Sequence, residues 1–358
     1  MSKSNSLGQL AFQKFKKDKL GLACLFYIIL CGSVAIFCYA IAPDNSAAAN
    51  QMHLEIHSKP PGFSVKMIQI PNQNIENQSW LSTFWSGKKS NFEELPILSY
   101  TKNDNSLTVV KYSDKLPKTF PLKTFNGKPE NFIQQKTFYF GTDKYGRDLL
   151  SRLIIGTRIS FFIGFIAVFI SLLIGIPIGA IAGYFGGKID AFIMWIINIT
   201  WSIPTLLLVI AITLILGKGF WQVFIAVGLT MWVEVARIVR GQVITTKQQQ
   251  YVEAAKALGF SNSRIIFKHI LPNILAPIIV ISAANFAAAI LIESGLSFLG
   301  IGAQPPTPSW GAMIKNHYNY IILGKPFLAI IPGIAIMLLV MAFMLLGNSI
   351  RDALDVKT

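Results

Sequence analysis

The sequence predicts an all-α integral membrane protein. It has six transmembrane helices, a cytoplasmic helix–turn–helix between the fourth and fifth, and a roughly 100-residue periplasmic insert between the first and second. Three observations lead there. The 358 residues are 53% hydrophobic and only 14% charged, with a mean hydropathy of +0.51, where a soluble chain carries about a quarter charged residues. The apolar residues gather into long runs, while the stretch from Ala42 to Thr137 has ordinary soluble composition. The basic residues, 32 against 17 acidic for a formal charge of +15, flank the apolar runs and form no stripe on a soluble domain. They read as an orientation signal and exclude nucleic acid as the partner.

A hydrocarbon core about 30 Å thick takes roughly 20 apolar residues in a helix. Runs of that length lie near Leu20–Ile41, Ile154–Tyr184, Ala191–Leu216, Phe220–Val239, Ile274–Leu299 and Phe327–Gly347. The first follows Lys14, Lys16, Lys17 and Lys19 and ends at Ala40-Ile41-Ala42, so a cleaved signal peptide competes with an uncleaved anchor. Its length, beyond the usual signal core, favours the anchor. Cys24, Cys31 and Cys38, seven residues apart in this run, read as small residues on a packing face. Pro177, Pro204 and Pro277 are candidate kinks, and Gly183-Tyr184-Phe185-Gly186-Gly187 a tight turn. Ala283, Ala284, Ala287 and Ala288 give the fifth run a small face.

Six alternating helices put the N-terminal lysines, Lys188, the group Arg237 to Lys268 and Arg351 on one side. The opposite short loops hold only Lys218, Lys315 and Lys325. Both termini are therefore expected in the cytoplasm, with the insert and the loop from Gly300 to Lys325 outside. The predicted divisions are 1–42 (N-terminus and first helix), 43–140 (insert) and 141–358 (five-helix core with a loop at 250–272). Within the insert, Phe63-Ser64-Val65 and Leu107-Thr108-Val109-Val110 suggest an irregular, partly β lobe without disulfides.

Catalytic and metal constellations are not legible. No G-x-x-x-x-G-K-[ST] phosphate loop occurs; Gly87-Lys88-Lys89-Ser90 lacks the earlier glycine and the strand-to-helix setting. His53 and His57 are spaced for a helical metal site, but their segment lacks helical periodicity, so no metal is expected. Glu234 and Glu293 fall inside apolar runs, where an ionisable group is a functional candidate. Asn285 and Glu293 are taken as candidates for a translocation path.

The strongest signal runs from Tyr251-Val252-Glu253-Ala254-Ala255-Lys256-Ala257-Leu258-Gly259 to Ile270-Leu271-Pro272. An alanine-rich helix former ends at a glycine, Ser261 or Asn262 can cap the next helix, and Pro272 precedes the fifth run. Such a knob suits a partner's groove. On the outer side, Asp143/Arg147 and Asp148/Arg152 are acid–base pairs at i,i+4 that would lock a short helix. The proline-rich loop with Trp310 reads as a contact for a partner on the outer side or as a segment at headgroup level.

Glu253-Ala254-Ala255, Gly259 and Ile270-Leu271-Pro272 resemble the coupling loop of permease subunits in binding-protein-dependent ABC importers. Further segments resemble the C-type permease of the dipeptide, oligopeptide and nickel branch: Gly141 to Asp148 with Ser151-Arg152, Glu293 to Gly300, Pro305 to Gly311, and Arg351-Asp352-Ala353-Leu354-Asp355. The match covers about Gly141 to the C-terminus and the basic lead-in; the insert is longer than in common members. The resemblance implies a non-enzymatic subunit of the bacterial inner membrane that moves di- or oligopeptides by alternating access. It also implies a sister permease, two ATPase subunits that use ATP and Mg, and an extracytoplasmic substrate-binding protein, with no cofactor on this chain. The competing readings are a nickel or other small-ligand importer, an ion-coupled secondary carrier, and an anchored structural or sensor protein whose active part is the insert.

Overall fold

The long apolar runs become helices, and one of them breaks, at Pro204. The structure, a computed structural model, describes residues 7–72, 78–113, 115–125, 129–217 and 219–354; Lys218 and Asp355 lie outside the described residues. The helices are α1 (Leu7–Lys17), α2 (Lys19–Ile36), α3 (Cys38–Ile41), α4 (Trp80–Ser86), α5 (Leu149–Phe185), α6 (Gly187–Ser202), α7 (Thr205–Leu216), α8 (Phe220–Thr246), α9 (Gln250–Ala257), α10 (Asn262–Ile265), α11 (Leu275–Leu299), α12 (Trp310–His317) and α13 (Phe327–Leu354). The strands are β1 (Phe63–Pro71), β2 (Phe92–Lys102), β3 (Ser106–Lys111), β4 (Pro117–Pro121) and β5 (Ile133–Phe138).

Among the described residues, five stretches are long and apolar enough to cross a membrane: α2, α5, α8, the continuous segment Asn262–Leu299, and α13. The third apolar run is the pair α6 and α7, bent by 90° at Pro204, one of the three candidate kinks. Pro204 supplies no amide hydrogen and drives Ile203 out of the helical region, to φ −91 and ψ 126. Pro177 and Pro332, by contrast, lie inside unbroken helices.

The chain divides into two compact units, residues 1–32, 160–304 and 334–358 in one and 33–159 and 305–333 in the other. In the first, α5 meets α8 through three glycines spaced four apart. A Cβ on Gly175 would stand 2.6 Å from Val235 Cβ, on Gly179 2.4 Å from the Ala236 carbonyl, and on Gly183 2.7 Å from the Arg240 carbonyl. Side-chain absence here lets two backbones touch, which is how helices associate where water provides no hydrophobic drive. Gly164 likewise makes room for the Phe286 ring, which stacks on Phe343 at 3.7 Å. Of the four alanines expected on a small face, Ala283 and Ala287 are buried and Ala284 is exposed.

The second unit corrects the all-α expectation. Its antiparallel sheet has the order β4-β3-β2-β1-β5, and the two apolar patches noted in the sequence become parts of β1 and β3. Alternation builds the sheet: Val65 and Met67 join Ile56 and Phe138 in one cluster, while Ile68 joins Ile97, Leu107, Val109 and Phe120 in another. Cys24, Cys31 and Cys38 are buried free thiols.

His53, 5% exposed, lies beside this sheet with its Nε2 3.8 Å from Glu94 Oε2. Burial holds its pKa below the ordinary value, Lys136 adds to the depression, and Glu94, Asp44 and Glu55 oppose it. A histidine depressed on folding contributes stability above its unfolded pKa of about 6.5 and loses it as pH falls below that value, where the unfolded chain binds the extra proton. Thermal unfolding of the purified protein should therefore weaken between pH 7 and pH 5.5, and His53→Gln should flatten that slope.

Candidate functional site

α9 forms because Gln250 to Ala257 contains good helix formers, and it stops because Gly259 takes φ +75. Leu258 N–H donates to Ala254 and Gly259 N–H to Lys256 at 2.9 Å, closing the last turn. Ser261 occupies the N-cap position of α10 without a side-chain capping bond. Asn262 instead accepts a 2.9 Å hydrogen bond from the Tyr184 hydroxyl at the end of α5. A π-helical turn, Ile266–Ile270, and a 3-10 turn, Leu271–Ile274, then lead into α11. Pro272 falls at the start of the 3-10 turn, where its missing amide costs nothing.

Burial splits the candidate residues. Val252 and Ala255 of α9, with Ile265, Ile266, Ile270 and Ile274, pack on Val235, Val239 and Val243 of α8 and on Ala180 and Tyr184 of α5. Glu253, Ala254, Gly259 and Pro272 are exposed, and Leu271 is half-buried. The segment is thus a knob with an apolar root and a presented face. Leu258 (72%) and Phe267 (68%) also stand in the open, large apolar groups that the sequence reading did not single out. A leucine between Ala257 and the helix-ending glycine is the signal that could have found the first.

The helices beneath the knob are tied to one another. Lys247 Nζ donates to the carbonyls of Gly183 and Tyr184 at 3.1 and 3.0 Å, capping α5. The glycine turn expected after α5 is present, with Gly186 at φ +67 and Gly187 at φ +57. Arg240 of α8 holds Asp190 of α6 through two bonds, at 2.5 and 2.6 Å. The knob's apolar root thus rests on two helices, α5 and α8, that are themselves linked.

Glu293 and Asn285 are each 1% exposed. Glu293 Oε1 accepts from Ser297 at 2.6 Å, and Ser297 Oγ accepts from the Ala303 amide at 3.2 Å. This is a network that fixes the turn after α11. Glu234 is exposed and lines a cavity of about 210 Å³ with Thr200, Trp201, Thr205, Thr230 and Ala288, at the α6–α7 elbow.

The other unit holds the second candidate cluster. Asp143, fully buried, takes Arg147 Nε and NH2 at 2.7 and 2.6 Å and the amides of Tyr145 and Arg147 at 2.8 and 3.0 Å. The Asp148/Arg152 pair is not formed, and no short helix intervenes. Asp148 precedes α5 and accepts from the Ser151 amide at 3.0 Å and from its hydroxyl, an N-cap that outcompetes the arginine. Burial pushes the Asp148 carboxyl up, opposed by the Ser151 bonds. Arg152 turns to the Ala48 carbonyl at 3.0 Å and lies 3.8 Å from Asp143. Trp310 is enclosed within its own unit. It is 2% exposed, its indole donates to the Leu153 carbonyl at 3.0 Å, and its ring fills the gap above Gly156. Among the described residues no group of His, Cys, Asp and Glu is placed to hold a metal.

Helices of this length and apolarity define a multi-pass membrane protein. Residues 175–358 match the family described as binding-protein-dependent transport system inner membrane component. Residues 6–61 match the N-terminal TM domain of oligopeptide transport permease C. The chain belongs to the binding-protein-dependent transport family, whose members are inner-membrane permease components of ABC transporters, with ATP hydrolysis on partner subunits. It is 43% identical over 231 residues to the dipeptide transport system permease protein DppC of Alkalihalophilus pseudofirmus, covering 64% of this chain and 76% of that one. It is 41% identical over 219 residues to the glutathione transport system permease protein GsiD of Pectobacterium atrosepticum, covering 61% and 72%. An inward-facing structure of the MetNI methionine ABC transporter aligns with 56% of this chain and 95% of that one, at 20% identity and a TM-score of 0.45.

Proposed function

We propose that this chain is one of two permeases enclosing the path of an ABC importer for di- or oligopeptides, and that residues 250–272 are its ATPase-docking loop. The observation that carries the reading is the knob itself, with an apolar root on α5 and α8 and an exposed face running through Glu253, Ala254, Leu258 and Gly259. The naming of two relatives for dipeptide and glutathione transport favours a peptide cargo over nickel.

Counting α6–α7 as one broken span makes six crossings. Both termini and the knob then share the cytoplasmic side, and residues 43–140 with the Asp143–Arg152 cluster face outward. In this arrangement closure of two ATPase subunits pushes the knob, and Lys247 and Tyr184 pass the displacement to α5. A separate binding protein delivers the ligand, and a sister permease completes the path. The cavity beside Glu234 is a better candidate for a substrate-facing surface than Glu293 and Asn285, which are enclosed within their own subunit.

The test is Gly259→Val in the assembled transporter. No atom lies within 4 Å of a Cβ built there, so crowding is not the cost; the left-handed backbone is, at about 1–2 kcal/mol or more for a β-branched residue. Uptake and substrate-stimulated ATP hydrolysis should both fall about tenfold while the subunits still copurify. Normal transport with normal stimulation would reject the docking role.

A further inference from the structure

α4 leaves most of its apolar side uncovered by the chain. It carries Trp80, Leu81, Phe84 and Trp85 on one side and Ser82, Thr83 and Ser86 on the other, yet none of its residues is buried. Trp80, Leu81 and Trp85 are 76%, 58% and 56% exposed. Three neighbouring large apolar side chains left open need an apolar surrounding from outside the chain.

Its neighbours say which surrounding. Phe84 packs edge-on against Phe37 at 5.9 Å, and Phe37 directly follows the apolar span α2. Phe37, Ile36 and Ile41 are themselves exposed, so the patch on α4 continues the open apolar side of that span. Arg158 provides an independent depth mark. Its guanidinium lies 4.5 Å from the Trp85 ring and donates to the Trp85 carbonyl at 2.8 Å. α5 has 37 residues, about 55 Å at 1.5 Å per residue, far more than a hydrocarbon core of about 30 Å. No charged residue occurs from Ile159 to Gly187. The hydrocarbon core therefore lies between Arg158 and Lys188, and the arginine marks the outer edge of that charge-free stretch on the insert's side. α4 is held at that edge from two sides. Tryptophan prefers this level, where the ring meets acyl chains and the indole N–H meets headgroups. Exposed Lys88 and Lys89 follow at once, suited to lipid phosphates.

We infer that α4 is an interfacial anchor: Trp80, Leu81 and Trp85 lie in the headgroup–acyl boundary of the leaflet on the insert's side. The assignment depends neither on the cargo nor on which side that is.

The experiment uses the intact transporter in liposomes containing lipids brominated either near the headgroup or deep in the acyl chain. The chain has seven tryptophans, so the Trp80 signal is the difference between the native protein and Trp80→Phe, with Trp85→Phe as a second, independent reading. Bromines near the headgroup should quench that difference signal about twofold more than deep ones, and aqueous iodide should quench it weakly. Strong iodide quenching with no effect of brominated lipid overturns the proposal in favour of a solvated helix. Protection from iodide only when the substrate-binding protein is added overturns it in favour of a protein-docking surface.

Discussion

Gly179→Leu is expected to abolish recovery of folded transporter from the membrane, while Gly241→Leu should leave recovery within about twofold of native. The contrast comes from what each side chain would meet. At Gly179 the first added carbon already lies 2.4 Å from the Ala236 carbonyl and 2.9 Å from Val239 Cβ. One of these is backbone in the middle of α8 and cannot rotate away. Accommodating a leucine requires the helices to part, and parting them strips the contacts of Gly175 with Val235 and of Gly183 with Arg240 and Val243 as well. Overpacking a tight core costs about 1–3 kcal/mol when side chains can shift, and more when they cannot. The damage also reaches the knob, because Val235, Val239 and Val243 are shared between this seam and the root of α9. At Gly241, one turn beyond Arg237 on the same helix, nothing lies within 4 Å of a Cβ. Size-exclusion profiles of detergent-extracted complexes would check both; a native profile for Gly179→Leu would show that α5 and α8 can part without loss of the fold.

That seam illustrates what the sequence made legible and what it concealed. Gly175, Gly179 and Gly183 stand four apart in an apolar run, a spacing with a physical meaning in membranes, yet nothing local tells which helix lies opposite. The positions of long helices follow from composition and survive almost unchanged. The break at Pro204 was visible as a residue but not as a 90° turn, since Pro177 has the same chemistry and leaves α5 continuous. Gly259 was readable because its role is local. Asp143 and Arg147 were readable for the same reason, both partners lying in one turn of chain. Arg152 was not: its carbonyl partner Ala48 is more than a hundred residues away, and an i,i+4 rule cannot see a competing N-cap at Asp148. The packing of Trp310 was hidden for the same reason, an aromatic in a proline-rich loop that tertiary structure carries onto Gly156. The sheet was hinted at by two alternating patches, but its five-strand order depends on pairings such as Lys66 with both Ile97 and Gln135.

Asp143→Asn should loosen the unit that holds it by about 3 kcal/mol or more, the scale of a buried ion pair broken at one partner. The aspartate is fully enclosed and takes four hydrogen bonds, two of them from one guanidinium. An asparagine of the same shape can still meet the two amides. It cannot balance the charge of Arg147, which is 4% exposed, or of Arg152 nearby. Two buried guanidiniums would then face each other without an anion between them, and Arg147 would keep only its 2.9 Å bond to Asn50. Because the Asp143 carbonyl also accepts from Ser58, and the Tyr145 carbonyl from His53, the loss spreads from the head of α5 into the segment leading to β1. Amide exchange over residues 141–152 and 53–58 should quicken by roughly 100-fold, as 3 kcal/mol requires at 1.36 kcal/mol per decade. Asp352→Asn is the control: its pair with Arg351, at 3.6 Å and more than half exposed on both sides, belongs to the class worth less than about 1 kcal/mol. If exchange over 141–152 proved equally slow in both variants, the cluster would be a surface ornament. In that case the connection between the insert and α5 would have to reside in the apolar contacts of Cys38, Ala42 and Ala49 with Ile155.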